Sequence, residues 1–192
     1  MTIYRFLGLL AGVCSIAAYI PYVIYTVRGK IKPHPFSWLL WGILGGVSLV
    51  TYYAVGARDT LPLAVVSFVG PSLLFFLSIR YWSGGFSRFD YLCLLFSGVA
   101  ILVYIIFRQA AVALTINLVG DLLAAFPTIR KTYRDPGSEN MSTWLLFALS
   151  AVLSLVAIDR FTYGVVILPL YLALFEIGMC LLVLRGRLKK AS

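Results

Sequence analysis

Seven apolar stretches, each close to the length of a bilayer crossing, leave this chain few ways to fold. A helix spans ~30 Å of hydrocarbon with about 20 mostly apolar residues. Residues 4–27, 35–57, 60–81, 89–107, 109–131, 141–158 and 162–184 meet or approach that length. In hydrocarbon every backbone N–H and C=O must find its partner within the protein, so runs of this kind are expected as helices. The fold class expected is therefore all-α integral membrane, with seven transmembrane helices. Breakers separate the runs: Gly29 with Pro33 and Pro35, Arg58-Asp59, Ser83-Gly84-Gly85, Arg108-Gln109, Asp135-Pro136-Gly137-Ser138 and Asp159-Arg160. Hydrophobic residues make up 61% of the chain and charged residues 12%, against roughly 45–50% and about 25% in a soluble domain. The first run holds only Arg5 near its start, is too long for a signal peptide and ends without a small-residue cleavage site. It is expected as the first span.

A second pattern lies on top of the first. The stretch FPTIRKTYRDPGSENMSTWLL, from Phe126 to Leu146, repeats IPYVIYTVRGKIKPHPFSWLL, from Ile20 to Leu40. At an offset of 106, Pro21 meets Pro127, Thr26 meets Thr132, Arg28 meets Arg134, and Trp38-Leu39-Leu40 meet Trp144-Leu145-Leu146. Ser48-Leu49-Val50 meet Ser154-Leu155-Val156 at the same offset without a gap. Internal similarity over this distance reads as duplication. The organisation expected is a first three-helix bundle over 1–84, a linker helix over 85–108, and a second bundle with a basic tail over 109–192. A three-helix unit ends on the side opposite its start, so a parallel 3+1+3 repeat needs one odd helix between its halves.

The formal charge of +9 would point to nucleic acid in a soluble protein, but here the basic residues occupy connectors. Alternate connectors and the tail hold Arg28, Lys30, Lys32, Arg80, Arg88, Arg130, Lys131, Arg134, Arg185, Arg187, Lys189 and Lys190, and the other side has only Arg5, Arg58, Arg108 and Arg160. Basic loops stay cytoplasmic, which predicts an outside N-terminus and a cytoplasmic C-terminus. The natural partner of that charge is the anionic cytoplasmic leaflet.

The helix-ending proline, short basic connector and Ser/Thr-bearing next helix, present twice and joined as three plus one plus three, resemble the PQ-loop superfamily. That group includes the SWEET sugar transporters and the lysosomal cystine and cationic amino-acid exporters. The name-giving Pro-Gln pair departs here to Pro21-Tyr22 and Pro127-Thr128. The resemblance implies alternating access, with Pro21 and Pro127 as hinges and Tyr22 and Thr128 beside them at the gate. A proline within a helix removes a backbone hydrogen bond and kinks it, which is compatible with that role. SWEET transporters carry an asparagine in the third helix of each bundle, and neither third helix here does. The superfamily members that move amino acids with protons look closer.

Two acids fall well inside apolar runs, Asp121 in the fifth and Glu176 in the seventh. Each lies about nine or ten residues from the basic end of its helix, or ~13–15 Å deep, so the two are expected at one level. An acid at mid-helix is costly at ~2.5–3.5 kcal/mol and usually faces a cavity or a partner. Asn117, one turn before Asp121, shares its face. At the 106 offset these positions correspond in the first half to Ser15 for Asp121, Ala11 for Asn117 and Gly70 for Glu176, with Ser72 close by. The substrate- or proton-binding set expected is Asp121, Asn117 and Glu176 with Ser15 and Ser72, and no Lys or Arg lies at their depth. The alternative role for the acids is hydrogen-bonded glue between helices.

Among the aromatic residues, Trp38 and Trp144 at the basic ends of their runs read as an interface belt. Trp41 and Tyr52 lie deeper and are candidates for lining a path. Gly42, Gly45 and Gly46 favour close helix packing. Cys14, Cys93 and Cys180 stand singly in separate runs, and His34 is the only histidine. No metal site, cofactor or catalytic constellation is therefore expected. The function expected is a small-solute membrane transporter, proton-coupled, favouring an amino acid or another small polar metabolite over a sugar. The alternative is a non-transporting sorting receptor or membrane chaperone of the same fold. An enzyme is not expected, nor is nucleic acid a partner; a homo-oligomer is compatible with the sequence.

Overall fold

A computed structural model describes residues 2–29, 35–81 and 88–191. Lys30, Lys32, Pro33, His34 and the Ser83-Gly84-Gly85 connector lie outside the described residues, as do the side chains of Pro127, Lys131, Arg187, Lys189 and Lys190. The remainder is helical: α1 (Ile3–Val27), α2 (Pro35–Ala54), α3 (Leu61–Ser78), α4 (Arg88–Phe107), α5 (Ala110–Arg134), α6 (Met141–Val156) and α7 (Tyr163–Ala191). No strand occurs among the described residues.

Five of these helices are long and apolar enough to cross a membrane: α1, Ser37–Ala54 of α2, α3, α5 and Tyr163–Arg185 of α7. The apolar parts of α4, Tyr91–Phe107, and of α6, Met141–Val156, are shorter. At 16 residues, α6 covers only ~24 Å, short of the ~30 Å core. Its limits are set locally. The Asn140 side chain caps its start by accepting from the Thr143 N–H at 3.2 Å. The chain turns out at Ala157, whose N–H closes the last turn on Leu153 O at 2.9 Å.

Other boundaries also differ from the sequence reading. The second helix stops at Ala54, not residue 57, because Gly56 takes φ +91, the left-handed conformation that ends helices. Gly29, at φ +68, does the same after α1. The fifth helix continues through Arg134, so Arg130, Lys131 and Arg134 form its last turns rather than a connector. Its polar turn then closes as expected: Pro136–Ser138 form a 3₁₀ turn in which Asp135 Oδ1 accepts from the Gly137 N–H at 3.1 Å.

The helices distribute their side chains as bilayer helices do. Up to Ala18 the buried positions of α1 are small, Gly8, Ala11, Gly12, Ser15 and Ala18, with Tyr22 and Thr26 buried beyond them, while Val13, Ile16 and Ile20 are more than half exposed. Without a hydrophobic drive between helices in lipid, close approach of small residues holds them together. The expected role of the α2 glycines is met at Gly45, where a Cβ would overlap the Ser67 carbonyl of α3.

Contacts follow a repeated scheme. In the first triplet α3 packs on α1 and α2; in the second α7 packs on α5 and α6. Across the triplets α1 lies on α6 and α5 lies on α2, and α4 covers α5 and α2. With α4 left aside, exchanging α1 with α5, α2 with α6 and α3 with α7 maps these contacts onto themselves. Two cross-triplet hydrogen bonds obey the same exchange. Asn117 Nδ2 donates to Leu44 O at 2.8 Å, and Ser150 Oγ donates to Ala11 O at 2.7 Å. Positions 11 and 117, like 44 and 150, are 106 apart.

Away from the basic connectors, one cluster joins the triplets. Tyr52, Ala57 and Ala64 pack there with Leu114, Ile158 and Val165. At the basic end each triplet keeps its own cluster, Tyr22-Trp38-Leu74 in the first and Trp144-Met179-Val183 in the second.

Candidate functional site

A cavity of about 100 Å³ lies between the triplets. Taking ~10–15 Å³ of such space per water, it has room for roughly seven to ten waters or one small solute. Positions 106 apart in the sequence line it in pairs. Ser15 and Asp121 both line it, as do Trp38 and Trp144, and Trp41 and Phe147. In α3 the buried residues Leu63, Ala64, Pro71, Leu74 and Ser78 recur in α7 as Leu168, Pro169, Glu176, Met179 and Val183, 105 positions on. The repeat thus slips by one residue between its second and third helices. Glu176 corresponds to Pro71, not to the Gly70 of an ungapped alignment, and both Pro71 and Glu176 line the cavity.

The wall is a chain of rings. Trp41 packs edge-on to Trp38 at 5.1 Å between centroids, Trp38 meets Tyr19 at 6.5 Å, and Tyr19 meets Phe147 at 4.9 Å across the triplets. The chain continues from Phe147 to Trp144 at 6.1 Å, then to Phe175 at 5.7 Å, which stacks on Tyr171 at 6.2 Å. These are favourable aromatic separations. The belt reading of Trp38 and Trp144 is corrected here: both are buried and face the cavity. Tyr19, Phe147, Tyr171 and Phe175 are further wall residues, and for the first of them the sequence holds a signal in Tyr19, Tyr22 and Tyr25, spaced by three along α1. Ring volume is exchanged between the halves. A Cβ on Gly70 would overlap the Tyr19 ring, whereas the matching pair in the second triplet is the small Ala125 and the large Phe175.

The ring chain ends on an acid. Tyr171 Oη donates to Asp121 Oδ2 at 2.7 Å. Glu176, one turn beyond Phe175's neighbour Leu172, is 7% exposed, and its Oε2 has no hydrogen-bond partner among the described residues. No Lys, Arg or His is among the described residues that line the cavity. Both acids line the same cavity.

Other predicted positions lie elsewhere. Asn117 is fully buried outside the cavity, its amide committed to Leu44 O and to Ser48 Oγ at 2.9 Å. Ser72 faces a separate hollow beside Gly42 and Phe76, and its hydroxyl donates to Phe68 O at 2.7 Å. Of the two path candidates, Trp41 lines the cavity and Tyr52 does not. Tyr52 Oη donates to Val165 O at 2.8 Å and lies 2.7 Å from Thr60 Oγ1. Pro169, four residues after Val165, has no N–H to offer that carbonyl, so the tyrosine supplies the missing donor. Pro21 is within α1, and the helical backbone of α5 runs through position 127. Tyr22 packs on Trp38 at 5.0 Å, and Thr128 O accepts from Thr132 Oγ1 at 2.8 Å; neither lines the cavity.

Comparison of the chain with protein-family models, with curated proteins and with solved structures returned no match.

Proposed function

We propose that this protein is a small-solute membrane transporter of PQ-loop type, working by alternating access between α1–α3 and α5–α7. The parallel 3+1+3 repeat, with α4 as its linker, is part of this proposal. So is the orientation, with the N-terminus outside and the basic end cytoplasmic. The observation that carries the reading is the cavity on the join of the triplets, walled by duplicated positions and holding two acids that nothing cationic offsets. A shared cluster at one end and separate clusters at the other fit a state closed outside and ready to part at the cytoplasmic end. Tyr19 against Phe147 is the ring contact that would separate.

In this reading Asp121 and Glu176 bind the proton or the substrate, Ser15 faces them from the first half, and Pro21 and Pro127 bend as the bundles rock. Asn117 acts as a pin between the halves. Repeats related by an axis along the membrane normal, with the path between them, are an established transporter plan. The cavity suits an amino-acid-sized or smaller polar solute better than a sugar oligomer.

Purified protein in sealed proteoliposomes tests this with a panel of amino acids, amines and sugars under opposed pH gradients. The expected result is uptake of a small solute that follows the pH gradient and loses that dependence in Asp121→Asn. Uptake indifferent to the gradient, and unchanged in Asp121→Asn, would remove the coupling. No uptake of any solute, with a protein partner retained on purification, would favour the sorting receptor.

A further inference from the structure

The polar groups facing the cavity are unbalanced. Asp121 and Glu176 supply acceptors, and Glu176 Oε2 is buried without a donor. Pro71 deprives the Ser67 carbonyl of its helical donor four residues on, and both residues line the cavity. Of the hydroxyls nearby, Ser67 Oγ donates to Leu63 O at 2.9 Å and Tyr171 Oη donates to Asp121, while those of Ser15 and Tyr19 line the cavity as neutral groups that carry no charge to offset the acids. No described lining residue offers a Lys, Arg or His to an anion. The remainder of the wall is aromatic, and ring faces attract cations, tryptophan most strongly.

We propose that the cavity binds a small organic ammonium ion, a primary to quaternary amine with a compact apolar body and no carboxylate. Its charge lies between Glu176 and Asp121, and its alkyl groups lie against Trp38, Trp144, Tyr19 and Phe147. This rests on the reading of the cavity as the solute site and narrows the solute. An α-amino acid would satisfy the acids with its ammonium group but would bring a carboxylate into a space with two carboxylates and no cationic side chain. A buried charge without a partner is strongly disfavoured. A neutral sugar would leave the acids uncompensated. The cavity, with room for roughly seven to ten waters, takes a compact solute.

The test uses the full-length protein in nanodiscs, with tryptophan fluorescence as readout because three of the four tryptophans line the cavity. The probes are isobutylammonium, L-valine, isobutanol and tetramethylammonium. The first two differ only by the carboxylate, and isobutanol replaces the ammonium group with a neutral one. Isobutylammonium and tetramethylammonium are expected to saturate the signal at concentrations at least tenfold below valine and isobutanol. Glu176→Gln is expected to weaken both cations at least tenfold, and Asp121→Asn gives a second, independent neutralisation should Glu176→Gln not fold. Valine binding as tightly as isobutylammonium, or cation binding indifferent to both neutralisations, would overturn the proposal. Cation binding without vesicle uptake would leave this inference standing and remove the transporter. Uptake of an amino acid with no cation binding would do the reverse.

Discussion

Replacing Tyr52 with phenylalanine removes one oxygen from the cluster that joins the triplets, and the structure sets what that should do. Tyr52 is 0% exposed, and its hydroxyl has a single hydrogen, given to Val165 O at 2.8 Å; Thr60 Oγ1, at 2.7 Å, must then donate to it. Val165 O has no other helical donor because position 169 is proline. The substitution therefore leaves a buried carbonyl unsatisfied, at ~1–3 kcal/mol. The bond joins α2 to α7, so the cost falls on the state in which this end is closed. In the proposed alternating-access cycle, parting the triplets lets water reach the carbonyl and recovers much of the loss. A bias of ~1–3 kcal/mol multiplies the ratio of parted to closed states by about 5–150-fold. Spin labels on cysteines at Ala54 and Phe161, both exposed at this end, in a background with Cys14, Cys93 and Cys180 replaced, would report the separation by pulsed electron resonance. Tyr52→Phe is expected to enlarge a longer-distance population by that factor. An unchanged distance distribution in a protein that still unfolds cooperatively would refute the reasoning.

The duplication makes a packing prediction. Gly70→Phe alone should overpack against Tyr19 at ~1–3 kcal/mol, but Tyr19→Ala with Gly70→Phe copies the Ala125-Phe175 pair and should recover several degrees of melting temperature over Gly70→Phe; simple additivity would contradict it. Asn117→Ala and Ser150→Ala each break a cross-triplet hydrogen bond. Bonds of this kind in membranes average ~0.6 and reach ~1.7 kcal/mol, so reversible denaturation in bicelles should show losses within that range for Ser150→Ala. Asn117→Ala should cost about twice as much as Ser150→Ala, ~1.2 kcal/mol for two average bonds, since the amide makes two of them. If Pro21 is a hinge, Pro21→Ala should slow solute flux at least tenfold while changing binding less than twofold; a static kink would leave flux as it was.

The helices were legible because they rest on a coarse pattern, apolar runs of about twenty residues. The offset also paired Ser15 with Asp121 and Trp38 with Trp144, and all four line one cavity. Glu176 was found from the rarity of acids at its depth, though its partner position was misread, since one inserted residue leaves sequence identity silent while burial reveals the slip. The roles of Asn117 and Ser72 could not be read, because sharing a face with a functional residue does not decide which neighbour a side chain reaches. Asn117 lies one turn from Asp121 but finds the backbone of α2. The tryptophans misled for a related reason. A ring at the end of an apolar run suits an interface belt and a cavity wall equally, and only the packing of α1 on α6 and of α2 on α5 decides between them. Tyr52 shows the same limit, since its partner Val165 becomes needy only through Pro169 on a helix far along the chain.

Whether one cavity is reached in turn from both sides of the membrane can be measured without knowing the solute. Ser15→Cys, in the background lacking the three native cysteines, places one thiol on the cavity wall. Sealed proteoliposomes of sorted orientation would be exposed to a membrane-impermeant maleimide on one face at a time. Alternating access predicts labelling from either face, with disulfide closure of Tyr19→Cys and Phe147→Cys abolishing it from the basic side only. Labelling confined to one face, with or without that closure, would contradict the account.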